Sequence, residues 1–187
     1  MTIQTPAPHN TPDVIFVSAS KGATQGYLDF HGKRYECALG RSGIIGHKRE
    51  GDGGTPLGTF PLRELRFRSD RLQKPQTGLT TIKTAMDDGW CDSPSDPAYN
   101  QFVKRPYPAS TETLWRDDQL YDIAIMLGYN DAPVVEGAGS AIFFHLAKTV
   151  DGALQPTEGC VALVLADMLS VLRNVHHKTC MTISLKD

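Results

Sequence analysis

Two residues between Ser140 and Leu165 have the chemistry to act together. His145 follows a short apolar run, Ala141–Ile142–Phe143–Phe144. Cys160 comes fifteen positions after the histidine, directly behind Thr157–Glu158–Gly159 and directly before a second apolar run, Val161 to Leu165. A free thiol is only a few per cent thiolate at neutral pH, whereas a neighbouring imidazole can take its proton and leave a strong nucleophile. Gly159 has no side chain, so its amide and that of Cys160 can point at a developing oxyanion. The same residue types also have a plain structural use. Cysteine is often buried as a small hydrophobe, and a histidine after an apolar run is often a hydrogen-bonded core residue. On residue chemistry alone both readings stay open.

Such a pair needs strands that end at one place. Ala141 to Ala147 reads as a strand, and Ala166 to Val175 as a helix whose apolar face is Met168, Leu169 and Leu172, with Asp167 near its start. Thr179 to Leu185 reads as a closing strand, and Tyr121 to Tyr129 as another. Upstream, VIFVSAS after Asp13, Gln25–Phe30 and Arg34–Leu39 form a predicted meander, with a tight turn at His31–Gly32–Lys33. A glycine-rich loop follows, with seven glycines from Gly40 to Gly58. It is not a phosphate loop: GxxxxGK[ST] is missing, and Gly51–Asp52–Gly53–Gly54 runs into a Thr-Pro turn, not a helix. Thr59 to Leu65 resumes as a strand. Arg66 to Asp118 carries Pro75, Pro94, Pro97, Pro106 and Pro108, and reads as loops with a short strand at Thr80–Ala85 and a turn of helix around Ser110–Arg116. Trp90 and Trp115 within it are either groove wall or satellite core. The expected class is mainly β, with long loops and one helix after the cysteine.

Composition narrows the function classes. The chain has 187 residues, 40% of them hydrophobic, and 19 basic against 21 acidic side chains. No basic stripe or charge run marks a nucleic-acid partner. Cys37, Cys91, Cys160 and Cys180 match no metal-ligand spacing; free thiols are expected, with a Cys37–Cys91 or other disulfide left open. His176–His177 reads as surface. Residues 1–12 are polar and proline-rich and read as a disordered lead-in, with a single domain over 13–187. No signal-peptide pattern or 18-residue apolar run is present. Either the protein is not exported by that route or its signal has been removed.

Taken together, these motifs resemble the L,D-transpeptidases, the YkuD-type peptidoglycan enzymes. Thr55–Pro56–Leu57–Gly58–Thr59–Phe60 looks like the family's TPxGxF strand entry, and His145 followed by Thr157–Glu158–Gly159–Cys160–Val161 looks like its His…(S/T)xGC(I/V) signature. The likeness spans about Gly40 to Leu185. It departs from the family pattern at Leu146, where glycine is common, at Glu158, where histidine is common, and at Ala162, where arginine is common. The resemblance implies a YkuD-like β-sandwich. It also implies that Cys160 attacks the carbonyl of an L-configured stem residue, the third or in a divergent branch the first, with His145 as base oriented by a neighbouring main-chain carbonyl. An amine acceptor gives a cross-link; water gives an L,D-carboxypeptidase. Arg41, His47 and Lys48 in the glycine-rich loop are candidates to hold stem carboxylates. Tyr129, Asn130, Thr157 and Glu158 are candidate groove residues. A monomer acting on peptidoglycan stem peptides in the periplasm or cell wall is expected, with no membrane span and with acylation by carbapenem-type β-lactams.

Other classes fit less well. Papain-type wall peptidases usually run cysteine before histidine, and a sortase would want a TLxTC-like segment and a later strand arginine. A wall-binding module decayed from the enzyme is the non-catalytic alternative, favoured by the missing arginine and opposed by the intact His–Gly–Cys set.

Overall fold

The computed structural model describes residues 13–186; the predicted lead-in at 1–12 lies outside the described residues. β1 (Val14–Ala19), β2 (Gln25–Phe30) and β3 (Lys33–Ala38) form the expected antiparallel meander. The β2–β3 turn uses His31 and Gly32, both at positive φ (47° and 73°), as a tight hairpin that follows strand twist requires. Within the glycine-rich loop β4 (Ile44–Ile45) pairs with β5 (Thr55–Pro56). Then come β6 (Gly58–Phe67), β7 (Thr80–Lys83), β8 (Asp88–Cys91), β9 (Phe102–Lys104), β10 (Thr111–Thr113), β11 (Ile123–Leu127) and β12 (Phe143–Leu146). The chain finishes with β13 (Thr149–Val150), β14 (Ala153–Leu154), β15 (Val161–Leu163), α1 (Leu165–Leu172) and β16 (Cys180–Leu185).

The main sheet runs β11-β12-β15-β3-β2-β1-β16-β6-β7, and β6 also pairs with β11. That extra pairing closes the expected sandwich into a barrel-like shell, leaving β7 as a branch and removing the edge at β11 that would otherwise present unpaired backbone groups. One core joins the inner faces of the strands, among them Ile15, Leu28, Leu65, Ile125 and Phe144, to Met168, Val171 and Leu172 of α1. Each such fully buried side chain stabilises the fold by roughly 1.5–3 kcal/mol.

A second, smaller core sits on the other face of β11 and β12, because successive strand residues point to opposite sides. Phe144 belongs to the main core, while Phe143 joins Ala124, Met126, Leu114 and Cys160 in the second. The three-stranded sheet β10-β8-β9 covers it, and Trp90 meets Phe143 edge-on with ring centroids 5.4 Å apart. The Arg68 guanidinium lies 3.6 Å over the Trp115 ring. The proline-rich middle segment is therefore a satellite core, and one of its members is Cys160.

Several predicted boundaries move. Ser110–Arg116 is not helical; it holds β10, whose Thr111–Thr113 pair with Cys91–Gly89 across the small sheet. The helix stops at Leu172, where Asn174 and Val175 turn back to Val171 and Leu172. The strand expected at Tyr121–Tyr129 covers Ile123–Leu127. All four cysteines are free, so no Cys37–Cys91 disulfide forms. Among the described residues no helix is long and apolar enough to cross a membrane.

Candidate active site

β12 and β15 are parallel neighbours, with Phe144 opposite Val161 and His145 opposite Ala162. This register sets Cys160 beside Phe143, and alternation turns Phe143, His145, Cys160 and Ala162 to the same face. The Cys160 sulfur accepts the Phe143 N–H at 3.3 Å, and its thiol points to the Ala141 carbonyl at 3.4 Å. Ala141 has φ = 53°, a left-handed conformation costing a non-glycine residue roughly 1–2 kcal/mol. Asn100 holds it there. Its Oδ1 accepts the Ala141 N–H at 3.1 Å and the Trp90 indole N–H at 2.9 Å, while its Nδ2 donates to the Tyr129 and Asn130 carbonyls.

His145 is oriented by backbone. Its Nδ1 lies 2.8 Å from the Leu146 carbonyl, an acceptor only, so in the neutral ring the proton sits on Nδ1 and Nε2 keeps its lone pair. Leucine in place of the family's usual glycine therefore does not disturb this contact, which uses main chain alone. The Tyr121 ring stands edge-on to the imidazole at 5.2 Å.

Burial governs both titrations. It pulls His145 down to about 4, against the smaller upward pull of the Leu146 carbonyl, with the Arg116 charge acting in the same direction as burial. It pushes the Cys160 thiol up to about 12; the Phe143 N–H and Lys48 act against this, and Glu112 and Glu158 add to it. The resting pair is neutral thiol and neutral imidazole. A stability effect follows with a definite sign. Below pH 6.5 the unfolded chain takes a proton at residue 145 that the folded chain refuses until about pH 4. Stability therefore falls as pH drops through that window, by about 3 kcal/mol in full. Urea unfolding of the parent and of His145→Gln at pH 7.5, 5.5 and 4.5 is expected to show the smaller pH dependence in the variant; parallel curves would contradict it.

Cys160 and His145 open into a cavity of about 410 Å³, whose walls include Lys48 and Glu50 of the glycine-rich loop and Glu112 and Arg116 of the middle segment. Thr157 and Glu158 also line it. Thr157 shapes the turn before Cys160: its hydroxyl donates to the Cys160 carbonyl at 2.7 Å and accepts the Gly159 N–H at 3.1 Å. The Gly159 amide is thus committed to Thr157, and among the described residues the Cys160 N–H has no acceptor. Gly159 itself has φ = 132°, and a Cβ there would come within 2.7 Å of the Gly54 carbonyl, so no other residue fits.

The three loop cations separate. The exposed Arg41 donates to Glu158 at 2.8 Å and to the Gly51 carbonyl at 3.0 Å. The Lys48 side chain is buried against Asp52, whereas His47 is exposed and does not line the cavity. Tyr129 and Asn130 also stand outside it. The Tyr129 hydroxyl donates to the Ala138 carbonyl, and Asn130 bonds to Val135 and Gly139, bracing the 130–139 loop. Sequence reasoning did not single out Asn100, Tyr121, Arg116 or Glu50. Glu50 accepts the hydroxyls of Tyr99 and Ser140, tying the glycine-rich loop to the entry of β12.

A closed, mainly β shell thus brings a histidine strand and a cysteine-led strand together at one cavity. The family model of the L,D-transpeptidase catalytic domain, YkuD, matches residues 12–183, and the chain belongs to that family. Similar solved structures include Mycobacterium tuberculosis L,D-transpeptidase 1 (12% identity, TM-score 0.40, 93% of this chain and 63% of that one). Another is the helical cell shape determining protein Pgp2 from Campylobacter jejuni (20%, 0.40, 94% and 49%). A third is L,D-transpeptidase 3 from M. tuberculosis (12%, 0.42, 91% and 60%). The chain thus spans between about half and two thirds of these proteins' lengths. No curated protein matches it.

Proposed function

We propose that the chain is a cysteine-dependent L,D-transpeptidase that cross-links peptidoglycan stem peptides outside the cytoplasm, in the periplasm or cell wall. The observation that carries this reading is the pairing of β12 with β15, which puts an oriented imidazole and a thiol on one face at the floor of one cavity. The Cys160 sulfur attacks the carbonyl of an L-centre, at the third or the first stem position, while its proton passes to Nε2 of His145. The C–N bond breaks, the leaving amine takes that proton, and a thioester remains. An amine of a second stem then attacks the thioester, losing a proton to His145, and the sulfur leaves as the thiol. None of these steps calls for a metal or organic cofactor.

The test mixes the protein with defined tripeptide, tetrapeptide and pentapeptide stems and reads products and intact protein by mass spectrometry. Cross-linked dimers and a stem-sized adduct on Cys160 are expected. A carbapenem is expected to leave its own adduct on the same residue. Hydrolysed stems without dimers would make the protein an L,D-carboxypeptidase, and no adduct with any stem would sink the reading.

Glu158 enters the same assay. Its carboxylate raises the thiol and pairs with the exposed Arg41, a surface contact worth little by itself. We expect Glu158→Gln to acylate as fast as the parent or faster, and to give a lower ratio of cross-linked to hydrolysed product, because an incoming ammonium loses its counter-charge. An unchanged ratio would leave Glu158 as a surface partner of Arg41 and nothing more.

A further inference from the structure

The acyl transfer described above leaves one requirement unmet. As sulfur adds to the carbonyl, a full negative charge develops on oxygen, and such sites generally meet it with two preorganised donors. The Gly159 N–H is committed to the Thr157 hydroxyl, which leaves the Cys160 N–H. A second donor has to come from outside the turn.

Lys48 is the group the fold supplies. Its side chain is only 4% exposed, yet it lines the cavity with Cys160. Gly139 lets it in, since a Cβ there would come within 2.9 Å of Lys48 Cε, and Nζ ends 3.4 Å from where a Cβ on Gly159 would stand. The ammonium therefore sits against the residue that precedes the nucleophile. Among the described residues it has one acceptor, Asp52 Oδ1 at 2.8 Å, although an ammonium carries three donors. Among the described residues two N–H groups of this buried cation are left without protein partners next to Gly159, an arrangement that is unfavourable until an anion forms there. Asp52 is itself shared, since it also accepts the Gly54 and Arg49 amides, so it offsets the lysine's charge only in part. The opposing carboxylate at Glu158 is paired with Arg41. Ala162, where the family pattern carries arginine, is fully buried against Ala38 and Leu154 and brings no charge.

We propose that Lys48, held by Asp52 beside Gly159, is a catalytic residue that donates, together with the Cys160 N–H, to the carbonyl oxygen as it becomes an oxyanion. This rests on the acyl-transfer reading of Cys160. As the S–C bond forms, the carbonyl π electrons move onto oxygen and are held by the ammonium; as the C–N bond breaks, the carbonyl re-forms and the hydrogen bond weakens. Lys48 keeps its proton throughout, and the proton that moves is the one passing from sulfur to His145 to the leaving amine.

The experiment compares two reactions of the same sulfur at pH 8. Acylation by an activated thioester and by a carbapenem creates an oxyanion, whereas alkylation by iodoacetamide displaces iodide at a saturated carbon and creates none. Lys48→Met is expected to slow acylation by roughly 10²–10³-fold. That loss should exceed any loss in alkylation at least tenfold, with Lys48→Arg recovering at least tenfold of it. Lys48→Gln, which keeps a donor for Asp52, serves where the methionine variant fails to fold and should show the same excess. Equal losses in the two reactions, or none in either, would overturn the proposal. A parent acylated by the thioester but inert toward every stem would sink the peptidoglycan reading and leave this one standing. A parent with no acyl adduct on Cys160 would sink both.

Discussion

Cys160→Ala is expected to abolish acyl transfer, with a loss on the order of 10⁴-fold or more, since removing the nucleophile of such a unit leaves only binding and oxyanion contacts. The other three cysteines test whether this is specific. Cys37 is fully buried in the main core, with burial pushing its thiol up to about 12, and Cys91 is fully buried in β8. Neither lines the cavity, and Cys180 at the start of β16 is on another strand altogether. Changed singly to serine, each should keep turnover within a few-fold, although a hydroxyl at residue 37 or 91 costs stability where it finds no partner. The measurement is product formation from a defined stem, with thermal melting alongside. Cross-linking retained by Cys160→Ala would refute the mechanism.

His145 gives the second large effect and a pH signature. His145→Ala should fold and lose acylation by roughly 10²–10⁴-fold, the usual range for a positioned general base. In the parent, an imidazole at its ordinary value would lose half its base form near pH 6.5. Burial moves that point to about 4. The acid limb of the acylation profile is therefore expected about two and a half pH units below an unperturbed histidine's, and activity should persist at pH 5.5. Rates of Cys160 adduct formation followed by intact mass from pH 4 to 8 decide it. A midpoint at 6.5 would mean that His145 is solvated when it works, and an unchanged rate in His145→Ala would leave it a structural residue.

The strand that carries His145, the strand from Thr59, the helix behind Cys160 and the closing strand were legible because each is a local pattern, an apolar run or a period, whereas the TPxGxF entry and the pairing of His145 with Cys160 came from the family resemblance. What was hidden depends on contacts between distant segments. Asn100 looks like any polar loop residue until its amide is seen joining Trp90, Ala141 and the 129–130 backbone across some 40 positions of chain. The segment around Thr111–Thr113 has no pattern of its own, and becomes a strand because β8 offers it an edge. Arg41, His47 and Lys48 were equivalent in the sequence as cations of one loop. Backbone turns give them three fates, a surface pair, an exposed ring and a buried ammonium, and no composition rule separates these. The Gly159 amide was expected at the oxyanion; Thr157, two residues before it, takes it through a turn bond that spacing alone does not show.

The depth of Cys160 also bears on survival in an oxidising medium. Peroxide, disulfides and other electrophiles in bulk water react with exposed thiolates, and their rate scales with how much thiolate is present. A thiol that is 6% exposed, protonated and tucked against the Ala141 carbonyl offers them almost none. On the proposed mechanism it becomes a nucleophile only when an acyl donor fills the cavity and His145 takes its proton. Of the four cysteines only Cys180 is partly exposed, so oxidative damage falls first on an atom outside the cavity.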